Sequence, residues 1–210
     1  MEELKMRLLF PRSVSLSAFI PVSVHCFCFY LYAMISVREI QQSDIEPLLD
    51  YWFTASDEFL IGMGVDLSKM PKRDEFKKML ETQLTQPYNE KQSYCTIWLM
   101  ADKPIGHCNV GKITYGEEAY MHLHMWRSDI RQKGLGVELV KLSIPYFFEN
   151  LKLKNLYCEP YALNPAPNNT LAKVGFEFVK EYMTIPGWIN FEQPVKRWVM
   201  TSERYKGLKQ

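Results

Sequence analysis

Arg131, Lys133, Gly134 and Gly136 fall within one short turn, R-Q-K-G-L-G, and that grouping suits a phosphate. A helix starting there leaves backbone N–H groups unpaired, and its dipole adds about half a positive charge. Glycines at 134 and 136 present no Cβ to hold a pyrophosphate away. Upstream, His122 and His124 alternate within AYMHLHMW. An imidazole titrates near neutrality, so either ring is suited to proton transfer or to a hydrogen-bonded place in the core. Glu159 and Tyr161 stand in NLYCEPY. A carboxylate in a closed cleft is pushed toward the range of a general base; on an open strand it pairs with a nearby Arg or Lys. The cysteines, Cys26, Cys28, Cys95, Cys108 and Cys158, form no CxxC pair and no metal-ligand cluster, and no metal is expected. The last three sit in apolar, strand-like runs and read as reduced core residues.

Periodicity supplies the elements that would position these groups. Ser36–Ile40 reads as a strand. Ser43–Phe53 reads as a helix, with Ser43 as N-cap and Glu46 completing a capping box. Ala55–Lys72 reads as a loop and Arg73–Leu84 as a helix. The period then changes to two, giving strands at Ser93–Ala101, Ile105–Thr114 and Ala119–Trp126. In the last of these, Met121, Leu123 and Met125 share one face, and His122, His124 and Trp126 the other. A helix from Gly134 to about Asn150, a strand at Asn155–Tyr161 and a helix at Asn164–Val174 follow. Gly175 closes that helix, and strands at Phe176–Thr184 and Val195–Thr201 complete the chain. Hairpins followed by a strand–helix–strand unit imply an α/β fold, with a mixed sheet and helices on both faces.

The turn resembles the [RQ]-x-x-G-x-[GA] acetyl-CoA motif of the GNAT superfamily of N-acetyltransferases. Asn164, followed by Gly175-Phe176, is similar to that family's N…GF signature. The likeness covers about residues 35–201, and its ribosomal-protein N-terminal acetyltransferase-like branch is the part most resembled. The resemblance implies a GNAT fold whose mostly antiparallel central sheet splays between the fourth and fifth strands, where the cofactor's pantetheine arm enters. It also implies acetyl-CoA as co-substrate. Backbone groups of His124, Met125 and Trp126 would pair with the arm. Arg131, Gln132, Lys133, Gly134, Leu135 and Gly136 would surround the pyrophosphate, and Asn164 and Asn168 would contact the cofactor from the far side. Trp126 serves equally well as core packing.

Acetyl transfer to an amine requires that the amine lose a proton and that the departing thiolate gain one. Glu159 matches the position of a glutamate base in the ribosomal branch. His122 matches one of a histidine pair in arylalkylamine acetyltransferases, with Tyr120 where the other would stand. The two common family positions for the acid hold Pro167 and Leu171, which cannot donate; Tyr161, Asn168, Thr170 or solvent would substitute. For the acceptor wall the candidates are Asp57, Glu58 and Asp66 in the first loop. Pro186–Gln193, with Trp188, Phe191 and Glu192, is the second such segment. Expected partners are a small-molecule amine or a peptide N-terminus, with a homodimer as the assembly considered. The alternative is a GNAT-fold module that holds acetyl-CoA without turnover.

Lys plus Arg is 25 and Asp plus Glu 24, a formal net charge of +1, which gives no basic face for nucleic acid. Val14–Ile35 is apolar and about long enough to cross a ~30 Å hydrocarbon core. Lys5, Arg7 and Arg12 precede it, as in a signal anchor. Pro21 and several serines interrupt it, and a domain start follows at once. Residues 1–33 therefore read as an upstream extension outside the chemistry, with an anchor as the competing reading. The expected division is 1–33 extension, 34–203 acetyltransferase domain and 204–210 tail, in a cytoplasmic protein.

Overall fold

A computed structural model describes residues 34–130 and 134–208. The chain builds β1 (Ile35–Glu39), α1 (Ile45–Phe53), α2 (Asp57–Gly62), α3 (Arg73–Thr85), β2 (Tyr94–Met100), β3 (Lys103–Thr114) and β4 (Glu118–Met125). It continues with α4 (Leu135–Leu151), β5 (Asn155–Cys158), α5 (Pro165–Val174), β6 (Glu177–Thr184), β7 (Gln193–Thr201) and α6 (Ser202–Leu208). The strands form one seven-stranded sheet in the order β1-β2-β3-β4-β5-β7-β6. Every neighbouring pair is antiparallel except β4–β5.

The pleat of β2 explains why it is buried along nearly its whole length. Tyr94 and Trp98 point into an apolar cluster with Leu139 and Phe147 of α4 and Leu171 of α5. Cys95, Ile97 and Leu99 point the other way, into a second cluster with Leu48 and Trp52 of α1 and Leu60 of α2. Helices therefore cover both faces. Cys95, Cys108 and Cys158 are buried free thiols, as their apolar runs imply.

The sheet opens where the site is expected. β4 and β5 pair from Glu118–Asn155 to Met121–Cys158, and there β5 ends while β4 runs on to Met125. Beyond Met121, β4 runs on without β5 beside it.

Four local readings are corrected. The start of α1 is not a Ser43–Glu46 capping box. A turn of 3-10 helix at Gln42–Asp44 precedes it, and the Asp44 carboxylate accepts from the Gln41 N–H at 2.8 Å. Asp44 is drawn inward because Arg38 grips both its oxygens, at 2.5 and 2.8 Å. The Ala55–Lys72 segment is not all loop: Ser56 accepts from the Phe59 N–H and starts α2. β5 stops at Cys158 rather than running to Tyr161. Pro160 has no N–H for a ladder, and Tyr161 keeps only an isolated bridge to Val195. Finally, residues 204–208 are no tail. They belong to α6, whose Tyr205 ring stacks on Phe148 at 4.6 Å and donates its hydroxyl proton to Glu149.

Among the described residues no helix is long and apolar enough to cross a membrane. The expected extension at 1–33 lies outside them.

Candidate active site

Where β4 and β5 part, the pleat decides which side chains meet. Tyr120 and Tyr157 are register partners whose rings stack at 5.2 Å on one face of the sheet. Two residues further along each strand, on that same face, stand His122 and Glu159. Met121 and Cys158, between them, turn to the opposite face and its apolar cluster. A cleft of about 790 Å³ passes through this opening. His122, Glu159 and Trp52 line it on one side of the sheet; Leu123, Cys158 and Pro167 line it at the gap.

Glu159 is deeply buried but charge-balanced. Arg197 Nε of β7 and the Tyr182 hydroxyl of β6 both donate to its Oε1, each at 2.5 Å. Among the described residues no donor reaches Oε2, and Glu159 lines the cleft. Arg197 lies over the Tyr120, Tyr157 and Tyr182 rings at 5.6, 5.3 and 5.1 Å, so aromatic faces hold the guanidinium that holds the carboxylate. Burial and the Glu159 charge push the Tyr182 hydroxyl up to about 12, which keeps it protonated as a donor.

The histidines are held neutral. Burial pushes His122 down to about 4, with the Lys112 charge in the same sense and Glu159 opposing. His107 is pushed down to about 3 by burial and by His122. Trp126 Nε1 has only a proton to give and donates it to His107 Nδ1 at 2.7 Å, which fixes the His107 tautomer with its proton on Nε2. His124 lies far below its ordinary value through burial and the nearby histidines; it stacks on His107 at 4.5 Å and meets the Tyr51 hydroxyl at 3.3 Å. His107 was not singled out in the sequence. Its place opposite His124 in the β3–β4 register is the signal that finds it, and only pairing reveals it.

The free edge of β4 has an alternation of its own. The Trp126 N–H is bonded to Ile105 O, and the His124 carbonyl faces Gly106, where an added Cβ would lie 2.5 Å from it. Backbone groups of His124 and Trp126 therefore point to β3, and those of Leu123 and Met125 point into the gap. The expected trio of His124, Met125 and Trp126 is thus corrected for its first and last members. The Trp126 side chain packs on Tyr51 and His107, on the apolar side of the alternative stated for it.

At the head of α4, Gly134 takes a left-handed conformation, φ 77°, ψ −10°, as the helix N-cap. The Val137 N–H bonds back to Gly134 O, leaving the N–H groups of Leu135 and Gly136 without helical partners. Arg131, Gln132 and Lys133 lie outside the described residues. α5 runs beside this point: a Cβ on Gly136 would lie 3.9 Å from Thr170 Oγ1. A strand that outruns its parallel neighbour, a cleft at that point and a left-handed glycine at a helix start together fit an extended thioester with a diphosphate.

Asn164 caps α5, its Oδ1 accepting from the Ala166 N–H, and it lines the cleft. Asn168 does not reach for a ligand. Its Nδ2 donates to Tyr161 O and Asn164 O at 3.0 and 2.7 Å, and its Oδ1 accepts from Trp198 Nε1 at 2.8 Å. Buried polar groups must be matched, so Asn168 acts as a strut fixing the Tyr161–Asn164 turn. We expect Asn168→Ala to cost about 2–3 kcal/mol by orphaning the indole N–H and two carbonyls. That is a fall of roughly 5–10 °C in Tm by calorimetry; an unchanged Tm would remove the strut.

The acceptor side is roofed. Asp66 N donates to Ile189 O, Phe191 N to Gly64 O, and Lys69 Nζ to Asn190 O, joining the chain after α2 to the β6–β7 connection. Both segments named as acceptor walls are thus bound to each other. Trp188 lines the cleft, but Asp57, Glu58, Asp66, Phe191 and Glu192 do not. Asp57 and Glu58 sit in the first turn of α2, and Asp66 caps a turn by accepting from the Ser68 N–H.

A family model described as "Acetyltransferase (GNAT) domain" matches residues 35–177. The chain belongs to this family, as an N-acetyltransferase domain that takes its acetyl group from acetyl-CoA. Among solved structures it is similar to spermidine N-acetyltransferase from Vibrio cholerae in complex with CoA and spermine. That match has 16% identity and a TM-score of 0.67, covering 83% of this chain and 99% of the other. It is also similar to aminoglycoside acetyltransferase AAC(6')-Ib in complex with coenzyme A and kanamycin. There the identity is 15% and the TM-score 0.64, over 84% of this chain and 99% of that one. Among curated proteins none matches the chain in sequence.

Proposed function

We propose that the chain acetylates a small primary amine, with donor and acceptor meeting at the opening between β4 and β5. The supporting observation is a cleft lined at that opening by His122 and Glu159 and, between the strands, by Met121 and Cys158. Acetyl-CoA supplies an activated acetyl thioester. Leu123 and Met125 bind its arm through their backbone groups, and Gly134, Leu135 and Gly136, with Arg131, Gln132 and Lys133 before them, hold its phosphates. Asn164 closes the far side. The small-molecule reading is favoured over a peptide N-terminus because the acceptor side is roofed by two hydrogen-bonded segments. We place the protein in the cytoplasm, where acetyl-CoA is available, with residues 1–33 as an extension outside the chemistry.

Glu159 is oriented by Arg197 and Tyr182 so that Oε2 meets the incoming ammonium. Held in this way, Glu159 orients the amine. His122 stands across the opening from Glu159 and takes the amine proton directly or through one water. For the departing sulfur the donor is Tyr161. Of the substitutes, Thr170 already donates to Ala166 O and Asn168 is fully engaged, whereas the Tyr161 side chain lines the cleft beside Asn164 and Pro167.

Thiol release from acetyl-CoA across an amine panel tests the reading. We expect His122→Asn to lower turnover about tenfold to 100-fold with the acetyl-CoA Kd unchanged. Wild-type turnover in that variant would move the proton acceptor elsewhere, and no thiol release with any amine would favour the non-catalytic module.

A further inference from the structure

The acceptor limb has a chemical character that amine transfer alone does not require. Trp52 of α1, Phe76 of α3 and Trp188 of the roof follow one another edge to face, at centroid distances of 6.3 and 6.4 Å, and all three line the cleft. Leu80 and Ile189 extend this apolar wall. The roof also reaches the reacting end: a Cβ on Gly187 would lie 3.6 Å from His122 Cε1.

Charge is sparse there and mutually cancelling. The carboxylates lining the cleft among the described residues are Glu75 and Glu159, and the ammonium groups are those of Lys78 and Lys112. Glu75 accepts from the Lys72 N–H at the start of α3. Glu159 presents one oxygen, because its other takes both donors. At the reacting end the carboxylate is Glu159; along the wall Glu75 is matched by Lys78, three residues on in the same helix, and Lys112 adds a further positive charge, which disfavours a polycation. A polyamine would set two or more further ammonium groups along a limb where lysines offset the second carboxylate, a costly desolvation. A flat apolar body would instead gain edge and face contacts with the three rings.

We propose that the acceptor is a primary monoamine carried on an apolar, aromatic-sized body, not a polyamine or an aminoglycoside. This rests on the acetyltransferase reading above. The amine binds as an ammonium and loses two protons in all: one leaves through the site to solvent to free the lone pair, and the second leaves as the new C–N bond forms and the thioester C–S bond breaks, and is balanced by the proton that ends on the sulfur.

The test uses the full chain with phenethylamine and tryptamine against spermidine and kanamycin. Thiol release gives kcat/KM, and tryptophan emission titrated in the presence of CoA gives amine affinity independently of turnover. The expected result is at least a tenfold preference for the aryl amines in both readouts. Trp188→Ala, at a residue already 55% exposed, is expected to raise their KM about tenfold and leave the acetyl-CoA KM unchanged. If acetyl-CoA binds by calorimetry but spermidine or kanamycin is preferred, or no aryl amine binds, the monoamine assignment falls and the donor site stands. If acetyl-CoA itself does not bind, the underlying reading falls with it.

Discussion

Gly134→Glu is expected to weaken acetyl-CoA binding by about 300-fold or more while leaving the protein folded. Two effects add. Gly134 holds φ at 77°, and a side chain there costs roughly 1–2 kcal/mol in the left-handed region. The new carboxylate then competes for the unpaired N–H groups of Leu135 and Gly136 and repels the diphosphate that they would hold. Together these reach about 3.4 kcal/mol, at 1.4 kcal/mol per tenfold. The position is exposed, so the global fold should survive, and a circular-dichroism melt checks that. Gly134→Asn separates the causes: asparagine tolerates the left-handed region and carries no charge, so its loss should stay within about tenfold. Unchanged affinity of the glutamate variant in calorimetry would remove the diphosphate from this turn.

The second large effect is acid lability beginning unusually close to neutrality. His107 is 2% exposed, and burial depresses it to about 3. Unfolded, it titrates near 6.5. Between those values the unfolded chain binds a proton that the folded chain refuses, so stability rises with pH across that window. The contribution is fully present above about pH 6.5 and is lost as pH falls toward 3. The slope is about 1.4 kcal/mol per pH unit for each such proton. At pH 5 His107 alone should have removed about 2 kcal/mol. His122 and His124, depressed by the same burial, act in the same sense. Urea unfolding at pH 7, 6 and 5 measures the loss, in a range where most carboxylates remain ionised. His107→Gln retains an acceptor for Trp126 Nε1 and should flatten the slope. A curve level from pH 7 to 5 would mean that these rings take up protons in the native state as readily as in the unfolded chain.

Most of the frame could be read from residue order. The period-two runs gave β2, β3 and β4 nearly to the residue, and the alternation in AYMHLHMW placed His122 and Met121 on opposite faces. The matched motifs placed Gly134 and Asn164 correctly at two helix starts. The misreadings share one cause: partners distant in sequence. Glu159 reads as either a base or an ion-paired strand residue, and the partner that supplies the pair, Arg197, is thirty-eight positions away. Asn168 looked free to contact a ligand until the Trp198 indole claimed its oxygen. Trp126 and His124 are on the right strand, but which edge their backbones address depends on β3. Helix α6 was missed because its anchor is a single buried tyrosine, a signal too slight for periodicity.

The strand order has a consequence for synthesis. β7 lies between β5 and β6, so a strand made after both of them is inserted between them in the sheet. The guanidinium that neutralises Glu159 is on that strand. A nascent chain ending anywhere before Arg197 therefore carries a donor half and a buried, uncompensated carboxylate. The centre is complete only once Arg197 has been made, and truncation anywhere before it should yield inactive protein, not a trimmed enzyme.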